Sequence, residues 1–377
     1  MTKQILLTGG AGFIGSHTAD ALLAQGYKVR VLDALIAQVH PQQTRPDYLA
    51  PEVELIVGDI CDQTAVSAAL DGVDIVYHFA AETGVGQSMY ELERYTQTNV
   101  TGTAVLWQEI QRRQAPLERF ILASSRAVYG EGKYNCRHCG IVYPNQRPVN
   151  QLQQADWQPR CPRCQQPVGI RSVSETTPKR PVSIYGLTKQ HQEELSVLMG
   201  QTLDTPVTIL RYFNVYGPRQ AYTNPYTGVV IHFFRQAMQN EPLQLYEQGL
   251  PIRDFVHVLD VVQANLLALK ENESLAIYNV GSGQQMTISD LAKTVLTAVG
   301  QPAESYNTTN RFRVGDIFGS FANLCHIQRQ LGYQPEVAFA DGLATLLASW
   351  SHDGHKSGKH IVADTDAELR RWRILHG

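Results

Sequence analysis

Three side chains could together remove a proton from a hydroxyl group of a substrate. Tyr185 and Lys189 are four residues apart, which places both side chains on one face of a helix. An unperturbed phenol ionises near pH ~10, and a neighbouring ammonium group favours the ionised form. Ser125 lies at the end of an apolar run and could hydrogen-bond the same hydroxyl. A tyrosine and a lysine at this spacing also occur on solvated helix faces, so the prediction of catalysis depends on the elements that position them.

The chain begins with the order of strand, glycine-rich turn and helix that is typical of dinucleotide binding. Residues 3–7 are an apolar strand, and residues 16–25 are amphipathic. Between them, Gly9, Gly12 and Gly15 have the spacing GxxGxxG. The first glycine permits a tight turn, the second lets the backbone approach a pyrophosphate, and the third lets the helix pack against the strand. A glycine-rich turn without a ligand is the alternative, and the order of the elements favours a dinucleotide.

A carboxylate at the end of the second strand indicates which dinucleotide binds. Residues 28–32 predict this strand, and Asp33 follows it, eighteen residues after Gly15. A carboxylate at this position can accept hydrogen bonds from both hydroxyls of the adenosine ribose and repels a 2′-phosphate. The sequence therefore favours NAD over NADP as the cofactor.

Short apolar segments alternate with helical segments through the first half of the chain. Apolar runs at 53–57, 74–79 and 119–124 are separated by helical patterns, the longest over 92–113. This alternation predicts an α/β fold with a doubly wound parallel sheet, in which ligands bind beyond the carboxyl ends of the strands. His78, inside one strand, is interpreted as a buried core histidine. The residues expected to meet at the strand ends are Gly12, Asp33, Asp59, Ala80 and Ser125.

Composition and charge argue against several other classes of protein. The 377 residues are 43% hydrophobic and 18% charged, with a formal net charge of −3, which is ordinary for a globular protein of two lobes. This charge gives no long-range attraction to nucleic acid or to an anionic membrane. No run of eighteen apolar residues could span a membrane, and a strand near residue 3 leaves no space for a signal peptide. We expect a cytoplasmic enzyme without a nucleic-acid or membrane partner.

Together, these segments resemble the extended short-chain dehydrogenase/reductases, in particular the NAD-dependent nucleotide-sugar epimerases and dehydratases. The resemblance covers roughly residues 3–345. It implies a Rossmann fold with a smaller α/β substrate lobe, NAD as cofactor and a nucleoside diphosphate sugar as substrate. The motifs that carry it are TGGAGFIG at 8–15, GDI at 58–60, HFAA at 78–81, NVTGT at 99–103, SSRAVYG at 124–130, YGLTK at 185–189, RYFNVYGP at 211–218 and RDFVHV at 253–258.

The resemblance also implies roles for individual residues. Ser125 and Tyr185 would act on the sugar, while Lys189 would bind the nicotinamide ribose. The predicted NAD-binding residues are Gly9, Gly12, Phe13, Ile14, Gly15, Asp33, Asp59, Ile60, Ala80, Ala81, Asn99, Tyr185 and Lys189. The predicted contacts to the substrate diphosphate are Asn214, Arg253 and Arg313. An arginine fork matches phosphate geometry, although either arginine by itself could be a surface ion-pair partner.

The residues after Ser125 indicate which reaction follows oxidation of the sugar. The resemblance implies a shared first step, in which the C4 hydroxyl becomes a ketone. Dehydratases of the family have an Asp-Glu pair directly after the strand-end serine or threonine, whereas this chain has Arg126 and Ala127. Arginine keeps its proton at neutral pH and alanine has none to give, so dehydration is disfavoured. A 4-epimerase needs no further acid or base and is the predicted function; a 4-ketoreductase, a decarboxylase and a non-catalytic NAD-sensing scaffold are the alternatives.

A cysteine-rich insertion at about 134–168 departs from the usual pattern of the family. Cys136 and Cys139 form one CxxC knuckle, Cys161 and Cys164 form another, and twenty-one residues separate the inner cysteines. Two such knuckles resemble a zinc ribbon, because each presents two thiolates to one tetrahedral ion. The segment is poor in apolar residues and would need such a site to fold. The prediction is structural zinc and not a catalytic metal; two disulfides, which are rare in the cytosol, or free thiols are the alternatives.

The insertion narrows the resemblance to one bacterial group within the family. Two knuckles at this position, and a tail like that of residues 363–370, resemble a group of dTDP-L-rhamnose 4-epimerases, which make dTDP-6-deoxy-L-talose. The resemblance therefore implies dTDP-L-rhamnose as the substrate. No residue pattern identifies the base or the sugar directly, and a UDP-sugar 4-epimerase is the alternative.

The same analysis predicts how the chain is divided. Residues 1–190 are predicted to form an NAD-binding lobe that contains the zinc-ribbon insertion, and residues 205–211 and 254–270 return to this lobe. The substrate lobe is predicted mostly from residues 212–345, and residues 346–377 are a C-terminal tail. The resemblance also implies a homodimer. In it, the helices at 92–113 and 185–200 of two copies would form a four-helix contact.

Overall fold

The computed structural model describes residues 2–113, 115–222, 224–226, 228–352 and 361–377. The first part of the chain alternates between strands and helices, as the sequence predicts. Its elements in chain order are β1 (Gln4–Thr8), α1 (Phe13–Ala24), β2 (Lys28–Asp33), β3 (Glu54–Val57), α2 (Gln63–Ala69), β4 (Ile75–His78), α3 (Val85–Ser88), α4 (Leu92–Thr96), a π-helical turn (Gln97–Thr101), α5 (Gly102–Arg112) and β5 (Arg119–Ser125). Strands β1, β4 and β5 are almost entirely buried, which accounts for their near-continuous apolar sequences.

The cysteine-rich insertion folds as a small antiparallel sheet. It follows a 3₁₀ turn at Arg126–Tyr129 and consists of β6 (Lys133–Cys136), β7 (Gly140–Val142), α6 (Val149–Gln153) and β8 (Gly169–Arg171), with β6 between the other two strands. Its small core contains Tyr134, Val142 and Val168 beside the cysteines. The chain then enters α7 (Ile184–Thr202), where the Ser183 hydroxyl accepts the N–H of Gly186 at 3.1 Å and caps the helix.

The remainder of the chain adds two strands to the main sheet and forms the smaller lobe. Its elements are β9 (Val207–Tyr212), β10 (Asn214–Tyr216), α8 (Val229–Met238), β11 (Leu243–Leu245), a 3₁₀ turn (Tyr246–Gly249), β12 (Ile252–Arg253), β13 (Phe255–His257), α9 (Val258–Ala268), β14 (Leu275–Val280), β15 (Met286–Thr287), α10 (Ile288–Ala298), β16 (Tyr306–Thr308), β17 (Phe312–Arg313), α11 (Cys325–Leu331), α12 (Phe339–His352), α13 (Ile361–Arg371) and β18 (Leu375–His376). Strand β14 joins the main sheet, although the sequence analysis assigned most of residues 212–345 to the smaller lobe. Its buried run Ala-Ile-Tyr-Asn-Val suits the inside of a parallel sheet.

Among the described residues, the main sheet has seven strands in the order β14-β9-β5-β4-β1-β2-β3, and every neighbouring pair is parallel. Helices α1 and α9 cover one face, and α2, α5 and α7 cover the other. The strand order reverses between β1 and β4, which is where a doubly wound sheet opens a crevice for ligands. The predicted α/β fold with a doubly wound parallel sheet is therefore confirmed.

The long helix predicted over 92–113 is divided in the structure. A π-helical turn, Gln97–Thr101, separates α4 from α5. Asn99 lies in this turn and is completely buried, with side-chain hydrogen bonds to the backbone N–H of Glu82 and to the hydroxyl of Thr188. A π turn re-aims one side chain without ending the helix. Here it brings the Asn99 amide to the loop after β4.

The smaller lobe has its own core, and the C-terminal segment packs on it. Helices α8, α10 and α12 contribute to that core, while β18 pairs antiparallel with β17. Residues 353–360, within the predicted tail, lie outside the described residues. Within the described part of the chain, no helix combines the length and the apolar character needed to cross a membrane.

Candidate active site

The carboxyl ends of the central strands open into one cavity with a volume of ≈ 470 Å³. This is within the usual range for a small-molecule site. The cavity lies at the reversal of strand order, where the sequence analysis placed the ligand. The predicted residues that line it are Gly9, Gly12, Phe13, Ile14, Gly15, Asp33, Asp59, Ile60, Ala80, Ala81, Ser125, Tyr185, Lys189 and Asn214.

The glycine-rich turn after β1 has the form of a phosphate cradle. Gly9 has φ +67°, and a Cβ atom added there would lie 2.7 Å from the backbone of Ala80. Only a glycine permits both this conformation and this approach. Gly12 is the N-cap of α1 and has no side chain that could satisfy the N–H groups of the first turn. These N–H groups and the positive end of the helix dipole suit the pyrophosphate of NAD.

Asp33 presents a fixed carboxylate at the end of β2. Its Oδ2 accepts the N–H of Ala11 at 3.0 Å, and its Oδ1 accepts the N–H of Leu35 at 2.9 Å. An ionised carboxylate has about four acceptor positions, so lone pairs remain for the hydroxyls of a ribose. The residues at this end of the cavity therefore fit the adenosine half of NAD.

We expect Asp33→Asn to reduce the preference of the protein for NAD over NADP. The substitution removes the negative charge that opposes a 2′-phosphate and weakens the acceptors for the ribose hydroxyls. A hydrogen bond to a charged group is worth about 1.5–3 kcal/mol, so the NAD dissociation constant should rise by at least about tenfold. Titrations with NAD and NADP measure the ratio of their two dissociation constants. Asp71→Asn, at an exposed position, is the control. An unchanged ratio would contradict the assignment of Asp33.

The side chains of Tyr185 and Ser125 lie next to each other inside the cavity. The Ser125 Oγ also accepts the N–H of Ala127 at 3.1 Å, which orients the serine hydroxyl. Burial raises the pKa of Tyr185, while the neighbouring Ser125 hydroxyl and the positive charge of Arg126 oppose that rise. The pair is therefore arranged so that a hydroxyl of a ligand can exchange a proton with the phenol.

Lys189 lies one turn after Tyr185 on α7 and is buried. Its Nζ donates to the carbonyl oxygen of Ala123, near the end of β5, at 2.9 Å. Burial lowers the pKa of Lys189 to about 7, and the nearby Glu193 carboxylate opposes this. Glu193 in turn accepts hydrogen bonds from Arg211 and Ser124. The lysine is thus held at the cavity wall by the strand and helix that also carry Ser125 and Tyr185.

Among the described residues, the cavity lining does not include three of the predicted contacts, Asn99, Arg253 and Arg313. Asn99 lies behind the wall. Its Oδ1 accepts the N–H of Glu82 at 2.7 Å and its Nδ2 donates to the Thr188 hydroxyl at 2.9 Å. It therefore connects the lining loop after β4 to α7 and supports the cavity from outside.

The two predicted arginines lie on the smaller lobe. Arg253 donates through Nη1 to the carbonyl of Phe318 at 3.2 Å and through Nη2 to the carbonyl of Ile317 at 3.0 Å. Arg313 lies with its guanidinium 5.0 Å from the centre of the Tyr246 ring. Its Nε is buried and has no hydrogen-bond partner among the residues that the structure describes. One segment thus carries Arg313 and the two carbonyls that hold Arg253.

Asn214 stands between the two lobes at the start of β10. Its N–H donates to the carbonyl of Asp254 at 3.0 Å, next to Arg253. Its Oδ1 is buried without a hydrogen-bond partner in the described part of the chain. Leaving a buried acceptor unpaired costs about 1–3 kcal/mol. The position therefore suits a residue whose partner is a ligand.

One family profile matches most of the chain. It is described as the NAD dependent epimerase/dehydratase family and matches residues 5–152 and 157–281. The chain belongs to this family. The predicted membership of the extended short-chain dehydrogenase/reductases is therefore confirmed, and the protein is an NAD-dependent enzyme of the nucleotide-sugar epimerase and dehydratase class.

Relatives within the NAD-dependent epimerase/dehydratase family cover nearly the whole chain. A dTDP-L-rhamnose 4-epimerase of Burkholderia thailandensis is 39% identical over 347 residues, which are 91% of this chain and 94% of the relative. The structure of a UDP-glucuronic acid 4-epimerase from Bacillus cereus, in complex with UDP-glucuronic acid and NAD, matches with a TM-score of 0.75 at 27% identity, covering 93% of this chain and 99% of that one. The structure of a dTDP-glucose 4,6-dehydratase from Streptomyces venezuelae with NAD bound has a TM-score of 0.76 at 28% identity. The match covers 93% of this chain and 97% of that one.

Two buried side chains, one near Tyr185 and one in the cavity lining, were not identified from the sequence as parts of the site. Arg126 follows Ser125 and its Nη1 is buried without a partner among the described residues; the sequence analysis used it only as evidence against a dehydratase. Burial lowers the pKa of Arg126 to about 10. Gln220 lines the cavity, and its Oε1 is likewise buried and unpaired in the described part of the chain. The loop that carries Gln220 has no motif, so no sequence signal could have identified it.

The four knuckle cysteines of the insertion converge on one point. The Sγ atoms of Cys136, Cys139, Cys161 and Cys164 all lie within 4.8 Å of one another, and those of Cys136 and Cys164 are 3.5 Å apart. A tetrahedral zinc ion with bonds of about 2.3 Å requires sulfur atoms roughly 3.8 Å apart. Because all four sulfur atoms are close to one another and do not form two separate pairs, the arrangement fits one metal ion.

Proposed function

We propose that the protein is a nucleotide-sugar 4-epimerase that interconverts dTDP-L-rhamnose and dTDP-6-deoxy-L-talose. The observation that carries the proposal is the neighbouring pair of Ser125 and Tyr185 at the cavity, with Arg126 and Ala127 directly after Ser125. The pair provides one group that can exchange a proton with a sugar hydroxyl. The two residues after it provide no acid for eliminating water.

The side chains have distinct tasks in this proposal. NAD supplies the reversible removal and return of the hydrogen at sugar C4. Tyr185 takes the proton of the C4 hydroxyl and later gives it back, while Ser125 sets the angle of that hydroxyl to the phenol. Lys189, fixed by the carbonyl of Ala123, holds the nicotinamide ribose. An epimerase needs nothing more, because the ketone has only to present its other face before it is reduced.

The nucleotide end of the substrate is assigned to the smaller lobe. Asn214 has a buried Oδ1 without a partner among the described residues, which can accept from a hydroxyl of the substrate, while its Nδ2 can donate to the diphosphate. Arg253 and Arg313 add positive charge on the smaller lobe. A diphosphate carries about two negative charges and suits arginine forks. The choice of dTDP-L-rhamnose rests on the 39% identity to a dTDP-L-rhamnose 4-epimerase over nearly the full chain.

The proposed reaction should approach one equilibrium from both sides. Starting from dTDP-L-rhamnose or from dTDP-6-deoxy-L-talose, we expect the same final ratio of the two by NMR, because the hydrogen removed from C4 is returned to C4. Deuterium at C4 should therefore stay in the sugar. The absorbance of reduced nicotinamide should not change at steady state. UDP-glucose and UDP-galactose, tested in parallel, identify the base and sugar preference.

Other outcomes would replace the proposal with a named alternative. Consumption of NADH or NADPH in a one-to-one ratio with product would indicate a 4-ketoreductase. Accumulation of a 4-keto-6-deoxy sugar would indicate a 4,6-dehydratase. Turnover of the UDP-sugars alone would indicate a UDP-sugar 4-epimerase, and tight NAD binding without turnover of any sugar would indicate an NAD-sensing scaffold.

We further propose a structural zinc ion at the four cysteines, a cytoplasmic location and a homodimer. The zinc rests on the convergence of the Sγ atoms. The proposal of a dimer is supported by exposed leucine side chains on the two helical segments that are predicted to form the dimer contact. Leu187 and Leu198 lie three turns apart on one side of α7 and are 39% and 60% exposed, and Leu92 on α4 is 47% exposed. Covering these side chains with a second copy would remove them from water.

A further inference from the structure

The insertion is joined to the smaller lobe by a shared apolar cluster. Leu152 and Trp157 of the insertion pack with Phe312 and Phe318 of the smaller lobe, and the Trp157 and Phe312 rings lie 6.2 Å apart. All four side chains are buried. The phenylalanines mark the ends of residues 312–318, which we call the substrate segment. The insertion is therefore packed on this segment.

The guanidinium of Arg147 lies next to this cluster and is 1% exposed. Its Nε donates to Glu131 at 3.3 Å, and its Nη1 donates to the carbonyl of Trp157 at 3.0 Å. Its Nη2 donates to Glu247 and to the carbonyl of Asp316, each at 3.2 Å. One side chain of the insertion thus connects four separate stretches of chain, including the substrate segment.

Glu131 completes the connection from the side of β5. It follows Ser125 by six residues and lies just beyond the 3₁₀ turn. Its Oε2 accepts the N–H of Phe318 at 3.0 Å. The substrate segment is therefore held at Asp316 by Arg147 and at Phe318 by Glu131, and Arg147 and Glu131 are paired with each other.

The substrate segment carries or holds both arginines assigned to the diphosphate. Arg313 is part of it, and the carbonyls of Ile317 and Phe318 accept the hydrogen bonds of Arg253. Loss of Arg147 would leave the carboxylate of Glu247 buried without its partner, and an unpaired buried charge draws water in or shifts the chain. Such a shift would move the carbonyls that orient Arg253.

We propose that Arg147 is a positioning residue for the nucleotide, through which the insertion fixes the substrate segment and so sets affinity for the nucleoside diphosphate. This proposal rests on the proposed function, because that function assigns Arg253 and Arg313 to the diphosphate. Arg147 is not among the described residues that line the cavity, so we expect its effect to be confined to the nucleotide side.

The test uses Arg147→Met in the full chain, with thymidine diphosphate, uridine diphosphate and NAD as separate titrants. We expect the dissociation constant of the preferred nucleoside diphosphate to rise by roughly tenfold or more and that of NAD to stay within about twofold. The KM for the nucleotide sugar should rise with a much smaller change in kcat, and the zinc content should not change. Arg160→Met is the matched control, since Arg160 is in the same insertion, is 42% exposed, and contacts Asp156 and the carbonyl of Gln165 within that insertion. It should leave all of these values unchanged.

Glu247→Gln is the second variant, because it keeps the shape of the partner and removes its charge. If Arg147→Met does not fold, Glu247→Gln should show the same selective loss of nucleotide affinity. Unchanged nucleotide affinity in a folded variant, or an equal loss of NAD affinity, would overturn the positioning role. Failure of the wild-type protein to bind either nucleoside diphosphate would instead overturn the proposed function, and the positioning role with it.

Discussion

Replacing Tyr185 by phenylalanine should leave NAD binding nearly intact and reduce turnover of the nucleotide sugar by at least about 10²–10⁴-fold. The side chain of Tyr185 lies next to Ser125 at the cavity, and we assign to its hydroxyl both proton transfers at C4. Losing a positioned acid–base group typically costs a factor of this size. Initial rates with saturating sugar measure the loss, and titration with NAD measures cofactor binding.

The control for this variant is Tyr306→Phe. Tyr306 lies on β16 of the smaller lobe, and it is not among the described residues that line the cavity. Removal of the Tyr306 hydroxyl should leave turnover within about twofold of wild type, as is usual for substitutions away from a site. A Tyr185→Phe enzyme that keeps more than a tenth of the wild-type rate would rule out Tyr185 as the proton acceptor.

Removing one knuckle cysteine should remove the metal and strongly destabilise the insertion. Cys161 is completely buried in the small core around the four Sγ atoms. Structural zinc contributes apparent binding energies of about 10–16 kcal/mol in zinc-finger peptides, far more than the apolar contacts of so small a core. Cys161→Ser should therefore lower zinc from about one ion per chain towards none and lower the melting temperature. These are measured by metal analysis and by thermal unfolding.

Cys325→Ser is the matched control for the metal, because Cys325 is exposed and free. It should change neither zinc content nor melting temperature. Wild-type protein that binds NAD stoichiometrically without zinc, and that melts at the same temperature after chelation, would contradict the zinc assignment. A Cys161→Ser protein that loses zinc without loss of stability would show that the ion is bound and is not structural.

The sequence was sufficient to predict which strand-end residues meet at the cavity, because its signals are local. The glycine-rich turn, the carboxylate after β2 and the strand-end Ser125 each follow directly from a short strand, and parallel strands bring their ends together. The structure places all of these residues around one cavity. The CxxC spacing of each knuckle is also a signal within a few residues, and the four Sγ atoms converge as the two knuckles predict.

The parts that could not be predicted depend on contacts between distant residues. Arg147 and Glu247 are separated by 100 residues, and neither lies in a motif. The π-helical turn is set by hydrogen bonds of Asn99 to Glu82 and Thr188, and a helical sequence pattern does not show where such a turn falls. The orientation of Arg253 also depends on the carbonyls of Ile317 and Phe318 in the substrate segment and not on its own neighbours in sequence.

The way in which the insertion enters and leaves the lobe has a consequence for how such proteins can diverge. Lys133 and Arg171 are directly opposite each other in the antiparallel pair β6 and β8, so the chain leaves and returns at adjacent points. A module attached in this way can be inserted without altering the register of β5 or the position of α7, whereas its loss would uncover Phe312 and Phe318 and leave Glu247 without Arg147. We therefore expect exchange of the whole module between homologues to change the residues that hold the substrate segment, through the position of Arg147, while the glycine-rich turn, Ser125 and α7 stay the same.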